Sequence, residues 1–408
     1  EGYARITNKP AIVNVTSGPG GINSLNGVFG AFTDSIPMII ISGQVKNETL
    51  VRIYPDKNLR QLGDQEANIE EIVKPICKYV VGIKKASELV TELPKALYEA
   101  SNGRPGPVWI DIPADVQMQK IKLIFKNNSR AKKNNINMQN KLFKKLDSLL
   151  DKSSKPLILA GTGIRLSSTS KDLLKFSKRL GIPIATAWTH DLIESKSKYF
   201  AGRPGTIGTR SGNFCLQNAD LIIVLGSRLN IRQTGFNFTG FAKNAKIVHV
   251  DIDKSELRKY YLNTFMKINI DLRDFFKMAT IFLKTNKKHK YLKWLNWCNE
   301  IGKKYSINNE EFKIEKKGFI NPYRAMFQIS DFLKEDDVIV CGNASACIIP
   351  FQSIQIKKNQ RLFSNSGCAS MGYDLPAAIG AAIGSNKKNS RIICFAGDGS
   401  LQMNIQEL

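Results

Sequence analysis

Cys394-Phe395-Ala396-Gly397-Asp398-Gly399-Ser400-Leu401-Gln402-Met403-Asn404 passes from an apolar run through Gly-Asp-Gly-Ser into a helical pattern. Ile392 to Phe395 predict a buried strand, and Leu401, Ile405 and Leu408, spaced four and three, predict one face of a following helix. The loop then lies at the carboxyl end of a strand, the edge where open α/β sheets bind ligands. Its two glycines let backbone N–H groups approach an anion with no Cβ in the way, and Asp398 between them offers a hard oxygen to a divalent cation. Gly397, Asp398, Gly399 and Ser400 therefore suit a metal-bridged diphosphate, although Asp-Gly is also an ordinary turn pair.

Upstream, strands and helices alternate. Ala11 to Thr16, Pro37 to Ser42 and Pro107 to Ile112 predict strands, with helices over Gly20 to Phe32 and Ala86 to Ala100. That alternation predicts α/β architecture with parallel, doubly wound sheets. A polar stretch rich in Lys and Asn, Lys126 to Asn140, predicts an interdomain linker. A Rossmann-like block follows, with strands at Pro156 to Ala160, Ile182 to Ala187, Leu221 to Leu225 and Lys246 to Val250. Phe275 to Lys304 is lysine-rich and helical, and Asn308 to Gly318 predicts a second connector. The last block has helices at Pro322 to Leu333 and Pro376 to Gly384 and strands at Val338 to Cys341 and Ile392 to Phe395.

At 408 residues the chain exceeds what one core usually organises, so two or three domains are expected. With 42 % hydrophobic residues, 21 Phe and 11 Tyr it has ample material for buried cores. No apolar run reaches the roughly 18 residues of a membrane span, and no membrane role is expected. The net charge of +25 comes from lysines mixed with Asn and Ile, as in Lys132-Lys133-Asn134-Asn135-Ile136, without interleaved aromatics. This predicts a solvated basic surface and no nucleic acid partner. Seven cysteines without CxxC or zinc spacing predict free thiols in a reducing compartment, the cytoplasm by default. With no initial methionine, and an end inside a predicted helix, the chain reads as a piece of a longer protein.

Three further stretches carry candidate chemistry. Thr16-Ser17-Gly18-Pro19-Gly20-Gly21 follows a strand and opens a helix, an open turn suited to backbone contact with a flat or anionic ligand, or simply a tight turn. Gln44, in Ser42-Gly43-Gln44, ends the strand that begins after Asp34-Ser35-Ile36-Pro37; it sits on the ligand edge, or serves as a strand-terminal hydrogen bonder. In Ser366-Gly367-Cys368-Ala369-Ser370-Met371-Gly372-Tyr373, Met371 faces a cofactor or fills the core. His190, His249 and His289 are isolated, Asp251 and Asp253 terminate a strand or, at such a position, contact a ribose, and Cys77, Cys341 and Cys347 show no catalytic pattern.

Gly2-Tyr3-Ala4-Arg5, Thr-Ser-Gly-Pro-Gly, Asp34-Ser35-Ile36-Pro37 with Ser42-Gly43-Gln44, Met371-Gly372 with Leu375-Pro376-Ala377-Ala378, and Gly397-Asp398-Gly399-Ser400 with Met403-Asn404 occur in a telling order. In order and approximate spacing the chain resembles the acetolactate synthase-like enzymes of the thiamine-diphosphate-dependent decarboxylase and carboligase superfamily. The resemblance implies three doubly wound domains: aminopyrimidine-binding at about 1–125, central at 140–285 and diphosphate-binding at 318–408, the first and last incomplete. It implies thiamine diphosphate and Mg²⁺ as cofactors and a homodimer or homotetramer, with the cofactor between subunits. Asp398 would ligate the metal, the backbone near Gly399 and Ser400 would hold the diphosphate, and Met371 would support the bent cofactor. Gly18, Pro19, Gly20 and Gln44 would line the reaction face. The implied reaction is decarboxylation of a 2-oxo acid with transfer to a second carbonyl compound, as in branched-chain amino acid biosynthesis.

The family's activating glutamate is expected ahead of Gly2, at a position Glu1 does not occupy, and its second metal-ligating asparagine beyond Leu408, since Asn404 is too close to Asp398. The chain alone is accordingly expected to be inactive. Leu62-Gly63-Asp64 stands where acetolactate synthases carry an apolar aromatic before Gln65-Glu66, which points to a more polar or sugar-derived substrate as the alternative. Ser227-Arg228-Leu229-Asn230-Ile231-Arg232 keeps two arginines and lacks the acidic pair of the flavin-dependent synthases, leaving FAD an open second cofactor. A noncatalytic nucleotide-binding homologue is the reading from another class. Gly161-Thr162-Gly163 lacks the third glycine of a dinucleotide fingerprint, which argues against a plain dehydrogenase.

Overall fold

The computed structural model describes residues 1–56, 58–121, 136–188, 190–283, 289–309, 317–386 and 390–408. Three parallel sheets carry the architecture. The first runs β1 (Ala11–Val15), β2 (Met38–Gln44), β3 (Tyr79–Gly82) and β4 (Pro107–Pro113) in the order β1-β2-β4-β3. The second contains β5 (Pro156–Ala160), β6 (Ile184–Thr186), β7 (Leu221–Leu225), β8 (Lys246–Asp251) and β9 (Met266–Asn269), ordered β6-β5-β7-β8-β9. The third has β10 (Val338–Cys341), β11 (Arg361–Phe363) and β12 (Ile392–Phe395), ordered β11-β10-β12. The α/β class with doubly wound parallel sheets is as the sequence predicts.

The chain packs as two compact units. One combines Glu1–Lys132 with Ser364–Lys388 and Ala396–Leu408; the other combines Lys133–Phe363 with Asn389–Phe395. In the first unit, Ile39 and Ile40 of β2 and Val108, Trp109 and Ile110 of β4 are buried, as befits central strands covered on both faces. The helix Gly2–Thr7 packs against Asp374–Gly384, and small residues make the close approach possible. A Cβ on Gly2 would overlap the Ala377 carbonyl oxygen, and Gly384 stands in the same row against Tyr3.

In the second unit, Phe143, Phe176, Phe275 and Phe276 form tilted and edge-on ring pairs beneath β5, β7 and β8. Asp191 is buried between Arg165 and Arg361, which brings a side chain from β11 to the second sheet's unit with ion pairs of 3.2 and 2.7 Å.

Several predicted boundaries differ. Gly20 to Phe32 is two helices, Pro19–Asn23 and Leu25–Asp34, because the Ser24 hydroxyl turns back to the Gly21 carbonyl at 2.7 Å. Ile136–Lys152 is helical, so the predicted linker overlaps a helix at 136–140; its residues 126–135 lie outside those described. Part of the second predicted connector, 310–316, lies outside them too. The helix after Gly397 is short, Asp398–Gln402, followed by a 3₁₀ turn Ile405–Glu407, so Leu401, Ile405 and Leu408 do not continue one helical face.

Candidate cofactor site

β1 delivers the Thr16–Gly20 loop at its carboxyl end. Gly18 has φ of 59°, a left-handed conformation that a side chain disfavours, and a Cβ there would overlap the Gln65 carbonyl oxygen. The 63–66 turn thus sits directly on this loop. Glu66 shapes that turn from within: its carboxylate accepts from the backbone N–H of Gly63 at 3.1 Å and of Val51 at 2.7 Å. Asp64 and Gln65 are left exposed beside the loop, Pro19 is exposed, and Gly20 is half-buried.

Gln44 lies at the carboxyl end of β2, as predicted, but it is buried and its amide is fully engaged. The Nε2 donates to Asp111 Oδ2 at 3.0 Å and to the Ala67 carbonyl at 3.1 Å, while Oε1 accepts from Val45 N at 2.9 Å. Asp111 also accepts from Ser42 Oγ at 2.5 Å, and Ser42 in turn accepts from Trp109 Nε1 at 2.8 Å. Burial pushes the Asp111 carboxyl up from its ordinary value against the lowering effect of the Ser42 and Gln44 bonds. This buried chain behind the strand ends has no signature in the sequence, since its members lie up to 69 residues apart.

Two of the sequence motifs prove to be partners. Arg5 donates to Asp34 at 2.8 Å and to Glu1 at 2.5 Å; Asp34 also accepts from Gly367 N at 3.1 Å, and Tyr373 donates to Glu1 at 2.7 Å. Glu1 is thereby tied to Arg5 and Tyr373. The arginine and aspartate of the two motifs fix the 367–373 loop, from which Met371 projects half exposed.

The Gly397–Ser400 loop follows β12, whose last residue pairs with Cys341 of β10. Asp398 is exposed, and its carboxylate makes no hydrogen bond or ion pair among the described residues. Gly397 has nothing within 4 Å of where a Cβ would stand, and the corresponding position on Gly399 meets Met371 Sδ at 3.9 Å. A hard carboxylate beside open backbone fits a divalent cation such as Mg²⁺, for which Asp398 would supply one oxygen ligand. Among the described residues no group of three His, Cys, Asp or Glu could hold a metal by itself. Ser400 is buried, and its hydroxyl is used inside the protein. No hydrogen bond among the described residues joins Gly18, Pro19, Gly20 or Gln44 to this loop.

In the second sheet the order reverses between β5 and β7, and the loops after these strands touch. Gly163 N donates to the Gly226 carbonyl at 2.9 Å, and a Cβ on Gly163 would come within 2.7 Å of Gly226 Cα. Arg228 and Arg232 follow at this switch point, both half-buried, with Arg232 5.4 Å from the Trp188 ring centroid. Asp253 caps the helix Lys254–Leu257 by accepting from Ser255 N at 2.8 Å, and Asp251 accepts from Asp253 N at 2.9 Å. All seven cysteines are free, and burial pushes the Cys77 thiol up to about 12, which keeps it protonated and unreactive.

Residues 1–67 match the thiamine pyrophosphate enzyme N-terminal TPP binding domain, 143–278 the central domain and 342–408 the C-terminal TPP binding domain. Over its whole length the chain is 33 % identical to the acetolactate synthase large subunit of Buchnera aphidicola subsp. Schizaphis graminum (strain Sg), spanning 70 % of that protein. It is 31 % identical to that of Lactococcus lactis subsp. lactis (strain IL1403), spanning 68 %. Among solved structures, benzoylformate decarboxylase from Polynucleobacter necessarius shares the fold, with a TM-score of 0.78 at 20 % identity over all of this chain and 72 % of that one. Three domain matches in chain order, and full-length similarity to acetolactate synthase large subunits, make this chain a member of the thiamine pyrophosphate enzyme family, of the acetolactate synthase type.

Proposed function

We propose that the protein decarboxylates a 2-oxo acid and transfers the remaining acyl unit to a second carbonyl compound, using thiamine diphosphate and Mg²⁺. The observation that carries this is the exposed Asp398 carboxylate, unpartnered among the described residues, between Gly397, which has open space above it, and Gly399, which faces Met371. Bound there, thiamine diphosphate would supply an electron sink for loss of CO₂. Asp398 would hold the metal, the Gly397 and Gly399 backbone would let phosphate oxygens approach, and Met371 would support the cofactor from the side of Gly399. Gly18 and Gly20 would form the opposite wall. Gln44, with its amide engaged by Asp111, would support that wall from behind. Among the described residues no hydrogen bond joins these two groups, and a second subunit would complete the site, giving a homodimer or an assembly of dimers. The domain limits at about 1–125, 140–285 and 318–408, and a reducing, cytoplasmic location, belong to the same reading.

The test is pyruvate turnover by the full-length protein, in thiamine diphosphate and Mg²⁺. Acetolactate formation supports two pyruvates as substrates, and loss of cofactor binding on Asp398→Ala supports the metal assignment. If the protein neither binds thiamine diphosphate nor releases CO₂ from any 2-oxo acid, the noncatalytic alternative takes over. One observation favours a polar acceptor: Asp64 is exposed on the turn that sits on the Gly18 loop, where an apolar pocket would require a hydrophobic side chain. Turnover of pyruvate only when a hydroxylated aldehyde or ketone is added would select that version. Arg228 and Arg232 would meet the phosphates of a flavin nucleotide, and the visible spectrum of the purified protein decides that point.

A further inference from the structure

Asp374 is a fully buried carboxylate at the start of the helix Asp374–Gly384, and no ion pair joins it to a cation among the described residues. Burying such a group is costly unless its oxygens are well served. Its partners are few and local to the cofactor loops. Oδ1 accepts from Leu375 N at 2.9 Å, and Oδ2 accepts from the Ser400 hydroxyl at 2.5 Å. A hydroxyl has one hydrogen. Because Ser400 gives it to Asp374, its lone pairs face the other way, and they accept from Gly372 N at 2.7 Å. The carbonyl of the same Gly372 accepts from Asn404 Nδ2 at 2.7 Å. Gly372 has φ of 83°, and a Cβ there would come within 2.9 Å of Asn404 Nδ2, so the turn adopts a shape only glycine takes easily and is held at both ends.

We propose that Asp374, acting through the Ser400 hydroxyl, is a positioning residue that fixes the Met371–Gly372 turn against the Gly397–Ser400 loop and so sets affinity for thiamine diphosphate with Mg²⁺. This rests on the cofactor reading proposed above. The orientation has a chemical corollary. The Ser400 hydrogen is committed to Asp374, so backbone N–H groups, and not the serine hydroxyl, would be the donors this loop offers to a diphosphate. Without Asp374 the hydroxyl is free to rotate, the Gly372 N–H loses an oriented acceptor, and Met371 loses its fixed place beside Gly399.

The test uses the full-length protein: wild type, Asp374→Ala, Asp374→Asn, Ser400→Ala and the Asp374→Ala/Ser400→Ala double variant. Two quantities are read, the Kd for thiamine diphosphate at fixed Mg²⁺ and the melting temperature with and without cofactor. The expected result is a Kd raised roughly tenfold or more in each alanine variant, with the double variant no worse than the poorer single one. Asp374→Asn keeps an oxygen for the Ser400 hydroxyl and should bind better than Asp374→Ala. The cofactor-free melting temperature should fall much less than the cofactor-induced gain shrinks. If the variants melt lower without cofactor yet bind it as tightly as wild type, or if the two alanine effects simply add, the pair is only packing and the inference is overturned. If wild type itself fails to bind, the cofactor reading falls and takes this inference with it.

Discussion

His249 lies on β8 with its ring 1 % exposed, and its Nε2 is 2.9 Å from the Ser227 carbonyl. A carbonyl oxygen only accepts, so Nε2 carries the hydrogen and Nδ1 is bare. Burial pulls the imidazole from 6.5 down to about 4, with the Ser227 bond opposing that shift. Between these values the unfolded chain binds a proton that the folded chain refuses, so stability is full above the unfolded value and declines as pH falls through that window. The contribution is on the order of 3 kcal/mol. His249→Gln should therefore narrow the gap between urea midpoints taken near neutrality and at about pH 4.5, and an unchanged gap would show that the ring does not titrate this way.

At the scale of elements, the Gly18 loop and the 63–66 turn are locked by one missing methyl group. Gly18→Ala should cost about 1–3 kcal/mol from the left-handed backbone alone and push the Gln65 carbonyl aside. Gly27→Ala, in the first turn of the helix Leu25–Asp34 with nothing within 4 Å of the new Cβ, should be neutral or stabilising by up to about 1 kcal/mol. Denaturant midpoints decide between the two, and equal shifts would mean the contact with Gln65 is not tight. β1, β2 and β4 are legible in the sequence because each is an apolar run between turn residues, and the site loops are legible as glycines at their ends. β3 and β11 are not: one is a half-buried edge strand and the other only three residues long, too little for a pattern. The partnerships Arg5 with Asp34, Asp111 with Gln44 and Asp374 with Ser400 are equally hidden, because they join residues 26 to 67 positions apart and leave no local period.

For the molecule as a whole, the charge of +25 sets long-range behaviour without specifying a partner. Lysines spread through the sequence with no aromatic platform predict weak retention on DNA or heparin that does not depend on base sequence and disappears at roughly 0.2 M salt. Retention that survives such salt, or that prefers one DNA sequence, would contradict a merely solvated surface. The packing of Gly2–Thr7 on Asp374–Gly384 bears instead on how the protein is made. The two helices are separated by roughly 370 residues, which a ribosome adds in on the order of 20 to 70 seconds. Throughout that interval the earlier helix lacks the cover that Asp374–Gly384 gives it, while the intervening second sheet can already close upon itself. The face that this earlier helix turns to Asp374–Gly384 is thus among the last to be covered, so a stalled or prematurely ended translation product would display it to chaperones and proteases.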